Sequence, residues 1–480
     1  MGWWSPYRQK GSVSRENFQD HLELFTWSLV LAHARTDESA PTSSPSTSVP
    51  TASPFMTSPL FALLHTAYAL DNGLALTPPM GWRSWNCYNG AVSDAKIRTT
   101  IDAIVARTRK VDGVPTSLAD VGFVDVGIDD GWQSCGTGWA PDPKDKLAFH
   151  DKWGTPLING STFPSLRDMV TYGHGKNVTM GWYLNNCICM DEYTLQEDPV
   201  WAQQSYWGDI TMIVEAHFDG VKIDNCGDDR GVGFIARVAA LNASGHAMVV
   251  ENSNQGKMSG PGGNARGNPL NDSYCPYNFF RSGGDIGPDF GNVISKLQRT
   301  VPYLGNASFP YISRPGCWAY PDMLEVGNFG GAAQERCASG GIPEHGGLAA
   351  LRARTPAEWY ASPAGELAVR ESRTHFGAWC VVSSPLILGL DVTDSARLDS
   401  VWEIITNREA IAVNQAWAED PGALVVDAVD HQVWCKVVAR GSKGEATSIA
   451  ALIFNSELIL FTVTLSANPA HTVTQPPSHL

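Results

Sequence analysis

The sequence predicts an α/β fold, a (β/α)₈ TIM barrel followed by a C-terminal antiparallel β-sandwich domain. From residue 74 onward, apolar β-rich runs recur, end in polar or acidic residues, and alternate with stretches of helical period. About eight such units occupy some 320 residues. After about residue 396 the alternation stops, and short strands follow with no helices between them. Alternating strand and helix implies parallel strands joined by right-handed crossovers. Near-continuous apolar runs suit strands buried on both faces. A doubly wound open sheet is the alternative, although no G-x-G-x-x-G follows the first strand to support a dinucleotide version.

Taken in order, residues 1–70 are expected to be leader, linker or low-complexity extension and not part of the folded core. Two short apolar runs, at 24–32 and 60–70, look like secretory h-regions, and residues 41–59 are Ser, Thr or Pro at 15 of 19 positions. Such a tract cannot form a packed core. Residues 71–395 form the expected barrel. Its strand runs are 121–130 (VGFVDVGIDD), 178–186 (VTMGWYLNN), 218–225 (FDGVKIDN) and 247–254 (AMVVENSN), with later ones in 280–286, 310–322 and 378–391. Helical period appears at 93–109, 165–176 and 201–217. Residues 396–480 begin with one more helix over 401–413, then strands within 423–438 and 447–465. The Gly- and Ala-rich stretch 327–365 resembles an inserted surface loop.

Composition narrows the function. With 34 basic and 49 acidic residues, the formal charge of −15 argues against a nucleic-acid partner. The 43% hydrophobic content can fill a large core, and no apolar run reaches the roughly 18–20 residues of a membrane span. Abundant Gly, Pro and Trp suit tight loops and aromatic-lined clefts, a setting for neutral hydroxyl-rich ligands. Ten cysteines and five N-x-S/T sequons favour an oxidising, secretory route. No H-E-x-x-H and no paired C-x-x-C supports a metal site, so neither metal nor cofactor is expected.

Three motifs carry chemistry. In Lys222-Ile223-Asp224, period-2 alternation puts Lys222 and Asp224 on one face of a strand end. A cation beside a carboxylate keeps it ionised, as a glycosidase nucleophile requires, and a plain strand-end ion pair is the alternative. Asp285, in Arg281-Ser282-Gly283-Gly284-Asp285, is the second carboxyl. A general acid needs an apolar or carboxylate-rich setting, whereas a loop Asp capping the next helix does not. The tandem Asp129-Asp130, followed by Gly131-Trp132, suits bidentate bonding to sugar hydroxyls, with a Mg²⁺-type acidic pair as the alternative.

Together these segments resemble glycoside hydrolase family 27, the α-galactosidase family. LTPPMGWRSWN (76–86) is similar to the family's opening TPPMGWNSWN, and VGIDDGW (126–132) to its second-strand motif. GVKIDNC (220–226) resembles the nucleophile segment and FFRSGGDI (279–286) the acid/base segment. YPDMLEVGN (320–328) and RTHFGAWCVVSSPLILGLD (373–391) match later landmarks. The resemblance implies Asp224 as nucleophile and Asp285 as general acid/base. It implies that Asp129, Asp130 and Lys222 hold the sugar's distal hydroxyls and that Arg281 and Asp322 brace the ring. Trp85 and Tyr183 would line the pocket, with Met323 beneath it. It also implies a half-cystine at Cys226, paired with Cys187 or Cys189, and Cys87 with Cys135 is plausible by order.

Two departures bear on specificity. The family's cysteine after the tandem acids is Gly131 here. The stretch Glu251-Asn252-Ser253-Asn254-Gln255-Gly256 stands where relatives carry a Cys-Glu-Trp type sequence that reads the sugar's 2-position. Ser253, Asn254 and Gln255 are therefore the expected specificity loop. The sequence is read as a retaining glycosidase that removes terminal α-galactose from an oligosaccharide or glycoconjugate and acts as a monomer or homodimer. A secreted, lysosomal or vacuolar location is expected. The alternatives are another glycone, N-acetylgalactosamine or β-L-arabinopyranose, and a catalytically silent galactose-binding protein.

Overall fold

The computed structural model describes residues 30–33, 72–139, 148–186, 189, 198–224, 232–253, 275–288, 290–305, 311–328, 369–428 and 431–455. One short strand precedes the barrel, β1 (Val30–His33). The barrel strands are β2 (Met80–Arg83), β5 (Asp125–Gly127), β6 (Thr179–Leu184), β7 (Gly220–Asp224), β8 (Val249–Ser253), β9 (Phe279–Arg281), β10 (Trp318–Tyr320) and β11 (Leu386–Leu388). A small hairpin of β3 (Arg109–Val111) and β4 (Val114–Thr116) lies between the first two.

The eight strands form one sheet in the order β10-β9-β8-β7-β6-β5-β2-β11, and every pairing is parallel. Leu324, just beyond β10, pairs in parallel with Leu388 of β11 and joins the two ends. Its N–H donates to the Ile387 carbonyl and its own carbonyl accepts from Gly389 N–H. This ring is the expected barrel, and the open-sheet alternative falls away.

Helices between the strands start where the sequence offers caps. In α1 (Asp94–Val105) the Ser93 hydroxyl accepts from Lys96 N, and Ile97, Ile101 and Ile104 face the sheet. The Ser165 hydroxyl caps α2 (Leu166–His174) in the same way. At the start of α3 (Pro199–Glu215), the Asp198 carboxylate accepts from Val200 N and Trp201 N, and Pro199 fills a first-turn position where its missing N–H costs nothing. Then come α4 (Val232–Ser244), α5 (Phe290–Gln298) and α6 (Val369–Val381).

The helix expected over 401–413 is two helices, α7 (Ser395–Ile405) and α8 (Arg408–Gln415). The break falls at Asn407, whose side chain accepts from Ala410 N and so restarts the chain as an N-cap. Large aromatic side chains fill the core. Trp182 is fully buried, with ring centroids 5.1 Å from Trp132 and 4.9 Å from Phe218.

Beyond α8, β12 (Ala423–Asp427), β13 (His431–Arg440) and β14 (Ala446–Asn455) form an antiparallel meander. Trp434 and Leu452 of this sheet belong to the same apolar cluster as Trp379 of α6, so the sheet is docked on the barrel. Among the described residues this unit is one four-stranded sheet and not two layers. Its fourth strand is β1, antiparallel to β14. Residues 30–33, expected to lie outside the fold, thus complete its edge. A short apolar run satisfies an open strand edge as readily as it serves a leader. The expected surface insert falls almost wholly outside the described residues.

Candidate active site

Most of the predicted polar site residues gather at the C-terminal ends of the barrel strands, where barrel folds carry their chemistry. Asp129 and Asp130 follow β5, Tyr183 sits on β6, Lys222 and Asp224 on β7, Ser253 on β8 and Arg281 on β9. Asp285 follows β9, and Asp322 follows β10. Trp85 opens the single helical turn Trp85–Tyr88 after β2.

Lys222 organises one half of the site. Its Nζ lies 2.7 Å from Asp129 Oδ2, with both side chains almost wholly buried. It also sits 5.2 Å from the centroid of the Tyr183 ring. Burial pulls the Lys222 pKa down, but Asp129 and then Glu251 outweigh it, and the net shift is upward. The ammonium is therefore a fixed positive charge beside the acids. Tyr183 in turn donates its hydroxyl to Asp224 Oδ2 at 2.8 Å, and Asn185 Nδ2 donates to the Tyr183 oxygen at 3.0 Å. Burial, then Asp224, Asp129 and Asp130, push the Tyr183 pKa far upward, so the phenol keeps its proton and remains a donor. The strand-end cation is thus real: Lys222 pairs directly with Asp129 and feels the charge of Asp224, to which the Tyr183 hydroxyl donates.

The tandem acids differ from each other. Asp129 is buried and its Oδ1 accepts from Asp130 N at 3.0 Å. Asp130 is only partly buried, and burial, opposed by Gln133 and Gly131 and abetted by Asp129 and Asp224, raises its pKa. Gly131 explains one departure in the sequence. Its φ is +107°, and a Cβ there would lie 2.4 Å from the Gly90 carbonyl oxygen, so a side chain such as cysteine has no room.

Arg281 organises the other half. Its Nη2 lies 3.2 Å from Asp285 Oδ1 and 3.0 Å from Asp322 Oδ2, and its Nη1 donates to Ser253 Oγ at 3.4 Å. Burial lowers the Arg281 pKa, but Asp322 and Asp285 more than compensate. Asp322 is clamped by the N–H groups of Ile286 and Met323 at 2.7 and 2.8 Å. Its φ of 148° is strained for a residue with a side chain, and the Trp379 indole holds its carbonyl at 2.6 Å. Burial raises the Asp322 pKa against the pull of Arg281. Met323 packs in an apolar cluster with Phe279, Trp318, Tyr320 and Ile387, and Trp85 leans on that cluster. Asp285 differs from expectation: its side chain is 60% exposed, so its setting is carboxylate-rich through Asp322 but not apolar.

The cysteine pairing is a correction. Cys135 bonds to Cys189, and Cys275 to Cys317. Cys87 is disulfide-bonded, but not to Cys135 as its order suggested. Cys189 is therefore not the partner of Cys226, and both Cys187 and Cys226 lie outside the described residues, as do Asn254 and Gln255. Chain order does not encode which loops meet above a barrel, and the post-β5 and post-β6 loops meet here.

Sequence reasoning missed Arg83 and Glu251, which form a buried ion pair between β2 and β8. Glu251 is raised by burial despite Arg83, and Arg83 is raised despite burial by Glu251 and Asp129. The available signal was Arg83 itself, which stands in GWRSWN where the family motif has Asn. Asn86 donates to a carboxylate oxygen of Glu325 at 2.5 Å, and Asn328 donates to the other at 2.8 Å, which anchors the turn that carries Trp85.

The family model described as Melibiase_2: Alpha galactosidase A matches residues 77–340. An "Alpha-galactosidase" of Cyamopsis tetragonoloba is 25% identical over 418 residues, covering 83% of this chain and 77% of that protein. The "Alpha-galactosidase" of Oryza sativa subsp. japonica is 26% identical over 401 residues, covering 82% and 76%. Among solved structures, alpha-galactosidase I from Mortierella vinacea superposes with a TM-score of 0.52 at 22% identity, covering 80% of this chain and 83% of that one.

Proposed function

The chain belongs to the alpha-galactosidase A family, glycoside hydrolase family 27, and from that premise we propose that it removes terminal α-linked D-galactose by double displacement with retention. The observation that carries this is the set of acids at the ends of β5, β7, β9 and β10, with Asp224 held by the protonated Tyr183 hydroxyl and Asp285 beside Arg281. Asp224 attacks C1 of the galactoside while Asp285 gives its proton to the departing glycosidic oxygen. Asp285 then takes a proton from water, which attacks C1 and frees Asp224. A bound sugar covers the exposed Asp285 side chain and excludes bulk water from the reacting bond.

Asp129, Asp130 and Lys222 accept and donate at the sugar's distal hydroxyls. Lys222 and Asp129 are fixed by each other, so little ordering entropy is lost on binding. Arg281 and Asp322 brace the ring edge, Trp85 and Tyr183 line the pocket, and Met323 lies beneath it. Ser253, oriented by Arg281, reads the 2-substituent. No step in this scheme calls for a metal or cofactor. Disulfides among the described residues support a secretory, oxidising location, and no described helix is long and apolar enough to cross a membrane.

A panel of p-nitrophenyl glycosides tests the reading. The α-D-galactopyranoside is expected to show kcat/KM at least about 100-fold above the N-acetyl-α-galactosaminide and the β-L-arabinopyranoside, the span of a few kcal/mol of differential transition-state binding. Preference for either of the other two sugars would assign a different glycone, and no turnover of any of them would leave a sugar-binding protein.

A further inference from the structure

A second cleft, of about 700 Å³, lies between the loop around Trp153, the start of α2 and one face of α3. It shares no lining residue with the strand-end site. Gln204, Trp207, Thr211 and Glu215 line it at the three- to four-residue spacing of one helix face. Two large rings there face solvent: Trp153 is 69% exposed and Trp207 44% exposed. Leaving two indoles in water is unusual for a surface with no partner.

The loop that carries Trp153 is built to hold it in place. Asp151 Oδ1 accepts from Trp153 N at 2.8 Å and from Thr155 N at 2.9 Å, and the Trp201 indole donates to the Asp151 carbonyl at 2.8 Å. Gly154 adopts φ +80°, and a Cβ there would lie 2.4 Å from the Gln204 backbone. A Cβ at Gly208 would lie 2.0 Å from the Gly154 carbonyl oxygen. The loop backbone therefore rests directly on α3 through two glycines, which fixes Trp153 relative to Trp207. Lys152 Nζ stands 4.8 Å from the Trp153 ring centroid and steadies it.

The charge of the cleft points to the kind of ligand. Among the described residues its charged lining side chains are Arg167 and Glu215, of opposite sign, and the Arg167 guanidinium is already engaged by the Glu215 carbonyl. An uncharged ligand fits this balance, and the chain's net −15 disfavours an anionic one. Flat apolar rings beside the exposed Gln204 amide and Thr155 suit a pyranose, which offers a C–H face and a rim of hydroxyls.

We propose that this cleft is a second, non-catalytic carbohydrate site that holds uncharged pyranose units of a polymeric substrate. The inference rests on the proposed function only in taking a galactose-bearing polymer as the ligand. Native gel electrophoresis through galactomannan, with excess free galactose to occupy the catalytic site, tests it. The parent enzyme is expected to be retarded, and Trp153→Ala and Trp207→Ala each to weaken retardation about tenfold, the scale of one aromatic contact. Thr211→Arg, which fills the cleft from an exposed position, is expected to do the same without removing a ring.

All three variants are expected to keep the parent's kcat/KM on p-nitrophenyl α-galactoside while losing rate on galactomannan. That contrast separates a lost polymer site from a misfolded protein. No retardation of the parent, or equal retardation of parent and variants, would overturn the proposal, as would variants that change only self-association. Retardation is read without turnover, so a parent that hydrolyses no galactoside refutes the proposed function while the cleft is still tested.

Discussion

An Asp224→Asn enzyme is expected to lose turnover of p-nitrophenyl α-galactoside by about 10⁴-fold or more while still binding galactose. The size of the loss follows from the chemistry. An amide oxygen is a poor nucleophile, and the covalent step has no substitute carboxylate on β7. Retained binding follows from the structure, because the asparagine Oδ1 can accept the Tyr183 hydroxyl as Asp224 Oδ2 does at 2.8 Å. Lys222 also keeps its partner Asp129. Fold and pocket are thus preserved, and calorimetric titration with galactose beside stopped assays separates the two effects. Turnover within about tenfold of the parent would remove Asp224 from the nucleophile's role.

An Asp285→Ala enzyme is expected to lose about 10²–10⁴-fold on galactosides with poor leaving groups, the usual worth of a positioned proton donor. The loss in the first step should shrink for activated aryl galactosides, whose leaving groups depart without a proton. Azide, which needs no general base, is expected to restore the rate and to yield α-galactosyl azide. Stability should change little, because the Asp285 side chain is 60% exposed and Arg281 keeps Asp322 at 3.0 Å. A loss that is equal across leaving groups and indifferent to azide would assign Asp285 a binding role instead.

The barrel and its polar rim were legible in the sequence because both are local signals. Runs such as VGIDD and GVKID state burial in their apolar part and the strand end in their acids. What escaped is information carried by contacts between segments remote in the chain. The Cys135–Cys189 bond joins two loops whose meeting depends on the stacking of β5 beside β6. The Arg83–Glu251 pair spans β2 and β8, and neither strand advertises the other. Strand β1 sits in a stretch that reads equally well as a leader, because four apolar or neutral residues satisfy both. The break at Asn407 was in principle readable, since Asn before a Glu-bearing first turn is an N-cap signal, but continuous helical period across it hid the restart. Gly131 looked like a departure from the family pattern, and its positive φ against Gly90 gives that departure a steric reason.

Retention at the anomeric carbon is the central claim, since it is what distinguishes a nucleophilic Asp224 from a carboxylate that merely activates water. Proton NMR of the sugar released from an activated α-galactoside, followed faster than mutarotation, tests it directly. The α anomer of galactose is predicted to appear first, with the β anomer growing in only as mutarotation proceeds. Initial release of β-galactose would mean inversion and would contradict the double-displacement role assigned to Asp224 and Asp285.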